Sequence, residues 1–306
     1  MSFSSDAKAE LCSLRPDKKS TALAESYGVL LYCHSFTARE ARIITASPDF
    51  AQRLPRLFRR AFGLDFDLLP SEEGSGKKSF AVTDGEKLRQ IFAAFGAEKD
   101  SLLSHHVNFG ILEEPGCMEA FIRGAFLAGG SVTDPEKRYH LELATAHQNV
   151  SRETVPVLMD LGFEPRETQR GGSALLYFKK ADVIADFFTC IGAPVTAMNV
   201  MTAKVDKEMR NKVTRLINCD SANADKTVAA AQEQIDAIHS LARALGGLGE
   251  LPDALRDAAL LRITNPEASL ADLAKLSSPP VSKSCLSHRL KKIQELAAQA
   301  EEEEQT

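Results

Sequence analysis

Phe121-Ile122-Arg123-Gly124-Ala125-Phe126-Leu127-Ala128-Gly129-Gly130-Ser131-Val132 is the stretch that decides the fold. Glu25-Ser26-Tyr27-Gly28-Val29-Leu30-Leu31-Tyr32-Cys33-His34-Ser35-Phe36 answers it in the first third of the chain. Gly28 falls opposite Gly124 and Ser35 opposite Ser131, both at a separation of 96 residues (124 − 28 and 131 − 35). Each copy reads as an apolar helix with one glycine on its contact face, ending in a small residue that feeds a strand. Two helices approach closely only where a side chain is missing, so paired glycines predict that the two helices pack on each other.

The order of elements around the copies repeats. After the first come an extended stretch (Arg42 to Ala46), a helix from Phe50 to Phe62 closed by Gly63, and an extended segment from Leu64 to Leu69. A polar turn (Ser71 to Lys78), a strand (Ser79 to Thr83) and a helix from Glu86 to Phe95 capped by Gly96 complete it. After the second come a turn at Asp134-Pro135-Glu136-Lys137, an alternating strand from Tyr139 to Leu143, and a helix from Ser151 to Leu161 closed at Gly162. Glu164 to Thr168 is then extended, Gln169-Arg170-Gly171-Gly172 turns, Ala174 to Phe178 is a strand, and Asp182 to Cys190 is a helix capped by Gly192. Two αββαββα units joined through their glycine helices predict an α+β saddle with pseudo-two-fold symmetry.

The glycine helices resemble the signature helix of LAGLIDADG homing endonucleases, in which an Asp or Glu just before the final small-residue turn binds the catalytic metal. Here those slots hold Cys33 and Gly129. A different register would place Asp134 on the acid, but it would bury Gly130-Ser131-Val132 in the helix and disagree with the first repeat. Asp134-Pro135 is therefore read as a turn. Hard divalent cations want oxygen ligands, so a cysteine and a glycine cannot replace a carboxylate pair.

No other metal or cofactor site is expected. His105 and His106 are adjacent and point apart, and the six cysteines (12, 33, 117, 190, 219, 285) never fall at C-x-x-C spacing, which suggests reduced thiols. Gly74-Ser75-Gly76-Lys77-Lys78-Ser79 hints at a phosphate loop, but Ser71 stands where the first glycine belongs, and a hairpin turn is the better reading. The sequence has no apolar run long enough to span a bilayer and no apolar signal core near Met1, so no membrane association is expected and the cytoplasm is the expected compartment.

The net charge of −5 over 306 residues does not mark a nucleic-acid binder, but charge is unevenly distributed. Residues 199–217 read as a linking helix with Lys204, Lys207, Arg210, Lys212 and Arg215, broken at Asn218-Cys219-Asp220-Ser221-Ala222-Asn223. Helices are then expected from Asp225 to Leu245, from Pro252 to Thr264, and from Ser269 to Leu276, where Ser269 and Asp272 form a capping-box-like start. Pro279-Pro280 ends that segment, and Ser282 caps the last helix with Val281 stapled to Leu286.

That last helix has two faces. Leu286, Leu290, Ile293 and Ala297 make an apolar stripe at 4-3-4 spacing, while the outer face is basic and rich in hydroxyls. Between Val281 and Leu296 four basic residues stand against one acid, Glu295, a balance of +3 (4 − 1). Short helix, turn, basic second helix is the helix-turn-helix pattern. Lys283, Ser284, Ser287 and His288 are the candidates nearest the bases; Ser282 lies at the helix start; Arg289, Lys291 and Lys292 suit phosphates. Arg39, Arg42, Lys137 and Arg138 beside the first strands of the saddle are either further DNA contacts or solubilising charges. The run Glu301-Glu302-Glu303-Glu304 reads as a solvated tail.

Taken whole, the chain resembles the WhiA family of bacterial transcriptional regulators. The resemblance is carried by Arg123 to Val132, Asp134-Pro135-Glu136-Lys137, Tyr139-His140-Leu141-Glu142, Asn265-Pro266-Glu267-Ala268-Ser269-Leu270, Ser282-Lys283-Ser284 and His288-Arg289-Leu290. Cys285-Leu286-Ser287 departs from the family pattern, which has a small residue followed by Val-Asn. The resemblance implies repeats at 1–110 and 111–198, a linking helix and connector at 199–224, a helix-turn-helix domain at 225–300 and an acidic tail at 301–306. It implies a nucleoid-associated, sequence-specific binder of double-stranded DNA, tied to cell division, chromosome segregation and sporulation, with a WhiB-type regulator as partner. It implies no nuclease activity, no cofactor and no small-molecule substrate. Two other readings are a working LAGLIDADG endonuclease and a cell-division scaffold without DNA function.

Overall fold

A computed structural model describes residues 2–70, 76–97 and 104–304. The chain divides into two compact units, Met1–Glu208 and Met209–Thr306.

The first unit is built on two helices, α2 (Lys19–Leu31) and α5 (Cys117–Gly129). Gly28 and Gly124 set their separation. A Cβ on Gly28 would lie 2.0 Å from the carbonyl oxygen of Phe121, and one on Gly124 would lie 2.0 Å from that of Glu25. Backbone fills the space that any side chain would need, so the close approach exists only because both positions are glycine.

Each helix feeds a sheet. β1 (Ser35–Phe36), β2 (Ala41–Thr45) and β3 (Lys78–Val82) form one antiparallel sheet in the order β1-β2-β3, with Arg42 opposite Ser35 and Ala81. β4 (Gly130–Val132), β5 (Leu141–Thr145), β6 (Arg166–Arg170) and β7 (Ser173–Phe178) form the other in the order β4-β5-β7-β6. The expected strand at Leu64 to Leu69 contracts to a single bridge, Leu68 to Ala81. The turn at Ser71 to Lys78 and the Gly74 to Ser79 motif lie partly outside the described residues. In the second repeat the turn is present, with Gly171 and Gly172 both at positive φ.

α3 (Pro48–Phe62), α4 (Gly85–Ala94), α6 (Gln148–Asp160) and α7 (Ala181–Ile191) complete the repeats. Gly63, Gly96, Gly162 and Gly192 terminate all four at positive φ, as a left-handed C-terminal residue requires. The apolar centre is aromatic-rich, with Phe36, Phe50, Phe58, Phe121, Phe126 and Phe187 at 2% exposure or less.

An N-terminal helix, α1 (Phe3–Ser13), buries Ala7 and Leu11 on this core. Its Glu10 carboxylate accepts from the amides of Val195 and Thr196 at 2.8 Å each, and so caps α8 (Pro194–Ala244). α8 is one helix of 51 residues. The break expected at 218–223 is absent. No Pro or Gly falls between Val195 and Leu245, and the small polar side chains bond along the helix, Thr227 Oγ1 donating to the Asn223 carbonyl at 2.9 Å. Asn, Asp and Ser cost a few tenths of a kcal/mol each in a helix interior, about 0.7 at most, too little to stop it.

The second unit packs α9 (Asp253–Thr264), α10 (Leu270–Leu276) and α11 (Lys283–Glu304) with the end of α8. Ile238, Leu241, Ala259, Leu273, Leu286, Leu290 and Ile293 form its core. Arg262 is fully buried there, donating to Gln234 Oε1 at 2.9 Å and to the Ala268 carbonyl at 2.8 Å. It ties α8, α9 and the loop before α10 into one body. Among the described residues no helix is long and apolar enough to cross a membrane.

Candidate nucleic-acid interface

α11 is positioned by its start and its stripe. Ser282 Oγ accepts from the Cys285 amide at 3.2 Å and so caps the first turn, as the sequence suggests. Leu286, Leu290, Ile293 and Ala297 are all 3% exposed or less, so the stripe faces inward. α10 starts equally firmly: Ser269 Oγ accepts from the Asp272 amide at 3.2 Å. With both inward faces fixed, the outward face of α11 follows.

Lys283, Ser284, Ser287, His288, Lys291 and Lys292 are all exposed. At 3.6 residues per turn, Ser284, Ser287, His288 and Lys291 share one face, with Lys283 and Lys292 at its margins. Ser282 and Ser284 join their hydroxyls at 3.0 Å, and Lys292 reaches Glu295 at 3.4 Å. Arg289 does not join this face. It is half-buried on the flank, where it lines a groove between α9 and the turn that precedes α11.

The saddle is electrostatically mixed. In the four-stranded sheet, Ser131, Glu142, Tyr177 and Arg166 stand in register across one face. Glu142 accepts from Arg170 at 2.8 Å and contacts His140 at 3.2 Å. Burial works to raise its pKa, yet the hydrogen bonds from Arg170 and His140 hold the carboxyl below its ordinary value. Arg42 is paired with Glu40 at 2.9 Å, while Arg39, Lys137 and Arg138 are exposed.

The two slots at the ends of the glycine helices hold no acid. Burial pushes the Cys33 thiol up to about 12, and its sulfur contacts the Leu30 and Ser35 carbonyls. Gly129 is closed in: a Cβ there would lie 2.3 Å from the Ala144 carbonyl oxygen, so no carboxylate side chain fits without moving backbone. Asp134 lies beyond β4, where its side chain accepts from the Glu136 amide at 2.9 Å and its carbonyl from Lys137, which makes it a turn residue. Among the described residues no cluster of three or more His, Cys, Asp or Glu side chains stands ready for a metal.

Comparison with known proteins settles the family. The WhiA LAGLIDADG-like domain matches residues 118–210, and the WhiA C-terminal HTH domain matches residues 213–297. A relative from Clostridium botulinum, named probable cell division protein WhiA, is 33% identical over 309 residues, covering 97% of this chain and 98% of its own. The chain belongs to the WhiA family. A relative of the same name from Clostridium perfringens is 34% identical over 309 residues, again covering 97% and 98%. The crystal structure of full-length WhiA from Thermotoga maritima has the same fold, with a TM-score of 0.60 at 24% identity over 98% of this chain and 99% of that one. The expected architecture, a degenerate LAGLIDADG scaffold joined to a helix-turn-helix region, is therefore the architecture of the WhiA family, and the relatives carry the names of cell division proteins rather than of enzymes.

Three anchors leave no mark in the sequence pattern. Glu25 is 1% exposed and bridges Arg53 (2.6 Å) and Arg123 (3.0 Å), and Arg123 also donates to the Ile191 carbonyl at 2.9 Å. The other two are Glu10 at the start of α8 and Arg262. Each is a charged residue in a helical pattern that reads as surface, and only the tertiary fold shows its partner.

Proposed function

We propose that this WhiA-family chain is a sequence-specific DNA-binding transcriptional regulator whose homing-endonuclease scaffold no longer cuts. The observation that carries the reading is the outward face of α11. Lys283, Ser284, Ser287, His288 and Lys291 project from the first turns of a well-capped helix whose opposite side is buried. A helix of this kind enters the major groove with short polar groups near the base edges and cations on the phosphates. Lys292 serves phosphates at the margin of this face, Arg289 serves them from the flank, and Ser282 holds the helix start.

Loss of cutting is supported by the two slots. Cys33 is a protonated thiol at neutral pH and Gly129 admits no side chain, so neither supplies an oxygen ligand. The saddle, with Glu142 on its sheet face and Arg42 paired, supplies less of the grip than α11. The family resemblance adds cell division, chromosome segregation and sporulation as the processes served, a nucleoid location in the cytoplasm, and a WhiB-type regulator as a second partner. The domain division follows the same lines, with repeats at 1–110 and 111–198, a connector at 199–224 and the DNA-binding part at 225–300.

Selection of bound fragments from random duplex DNA tests the reading. The wild-type chain is expected to enrich one site, and Lys283→Ala with Lys291→Ala to enrich none. Incubation of the selected site with magnesium is expected to leave both strands intact. Equal enrichment by both proteins, or scission, overturns it.

A further inference from the structure

The flank of α11 between its outward face and its buried stripe borders a groove of about 600 Å3, within the second unit. Its floor is apolar: Ala258, Leu261, Val281 and Leu286 line it. Leu260 and Leu276 stand at it 49% and 58% exposed. This volume and lining fall in the range of small-molecule sites, about 300–1,000 Å3.

The polar groups around the groove fall into two sets. Thr264 Oγ1 donates to the Leu260 carbonyl, Asn265 Nδ2 to the Leu261 carbonyl, and Ser277 Oγ to the Pro279 carbonyl, so these donors are already used. Two charged side chains are not. Arg289 on α11 and Asp257 on α9 both line the groove, and among the described residues neither makes an ion pair or side-chain hydrogen bond, with each other or with any other group. The guanidinium therefore offers a free fork of donors beside an apolar floor. Asp257 disfavours an anionic head near itself, and Arg289 is the one cation among the described residues that line the groove.

We infer that this groove is an effector site for a medium-chain amphiphilic carboxylate, its head on Arg289 and its chain over Leu260 and Leu276. No covalent step is involved. Because Arg289 lies on the flank of α11, a carboxylate that pairs with it withdraws a cation from the phosphates, and so weakens DNA binding. This last consequence rests on the DNA-binding reading above; the ligand site does not.

Calorimetric titration of the full chain with octanoate and with 1-octanol tests the site without DNA. Octanoate is expected to bind, and octanol to bind at least about tenfold more weakly, since a charge-assisted hydrogen bond is lost. Arg289→Met is expected to abolish the preference for the acid, and Leu260→Glu, an exposed-rim change that spares the core, to abolish octanoate binding while the melting temperature holds. Equal affinity for the two ligands, or undiminished octanoate binding by Leu260→Glu, overturns the site. In a second arm, octanoate is expected to lower affinity for the selected DNA several-fold in the wild type and not in Leu260→Glu. Unchanged DNA affinity with octanoate bound overturns the coupling alone, whereas failure to select any DNA overturns the regulatory reading and leaves the site standing.

Discussion

Gly28 and Gly124 each present a bare α-carbon to the backbone of the other's helix, and a methyl group on either would come within 2.0 Å of a carbonyl oxygen. The obstacle is main chain rather than a flexible side chain, so relief requires the helices to separate. Gly28→Ala or Gly124→Ala is expected to cost about 3 kcal/mol or more, the upper end for an overpacked site. Urea denaturation measures it, and a loss under about 0.5 kcal/mol, the range of a neutral surface change, refutes the close packing.

Glu25 sits beneath that crossing with Arg53 and Arg123 on its two oxygens. Arg53 also donates to the carbonyls of Cys12 and Leu14, so the cluster pins the chain after α1 to the repeat. Removing one partner leaves buried charge uncompensated. Glu25→Ala is expected to cost about 3–5 kcal/mol. Chemical denaturation again reads it out, and a neutral result shows that water reaches the cluster.

His147 occupies in the second repeat the place that Ser47 caps in the first, and it makes no cap bond. Its ring meets His105 edge-on at 4.4 Å beside a cavity of about 410 Å3. Burial, and secondarily His105, lowers its pKa from 6.5 to about 4. A lowered histidine pKa means that the unfolded chain takes up the proton first. Its contribution to stability is therefore complete above pH 6.5 and is lost as pH falls from there toward 4. Thermal melts are expected to decline through this window, and His147→Asn to decline less. Parallel curves for the two proteins exclude the residue as the source.

Thiol chemistry separates the cysteines. Cys219 is exposed on α8, whereas burial raises Cys33 and Cys12 to about 12 each. Since the thiolate is the reactive form, a disulfide reagent at neutral pH is expected to modify Cys219 well before Cys33 in the native protein. Fast labelling of Cys33, identified by peptide mapping, would show that its slot is open and ionised.

Much of this fold was legible because its determinants are local or repeated. Paired glycines, helix-ending glycines and the 4-3-4 stripe each leave a mark within a dozen residues, and each was found where expected. Strand limits were less legible: the alternation from Tyr139 to Leu143 is real, but pairing runs from Leu141 to Thr145 because Phe178 to Ala174 stand opposite. Asn218 to Asn223 looked like a helix stop, yet flanking helix and bonds such as Thr227 to Asn223 outweigh weak propensities. In the candidate interface the outward face of α11 was readable from periodicity. The flank position of Arg289 follows from the same periodicity, but the groove it lines does not, since that depends on where α9 lies.

The central claim, that α11 grips DNA through its exposed cations, is tested most directly by the salt dependence of binding to the selected duplex. Each phosphate neutralised contributes about 0.9 to the slope of log K against log salt. Wild type is expected to bind ever more weakly as salt rises, and Lys283→Ala with Lys291→Ala to bind with a slope shallower by about 2. An identical slope for the two proteins would contradict the account.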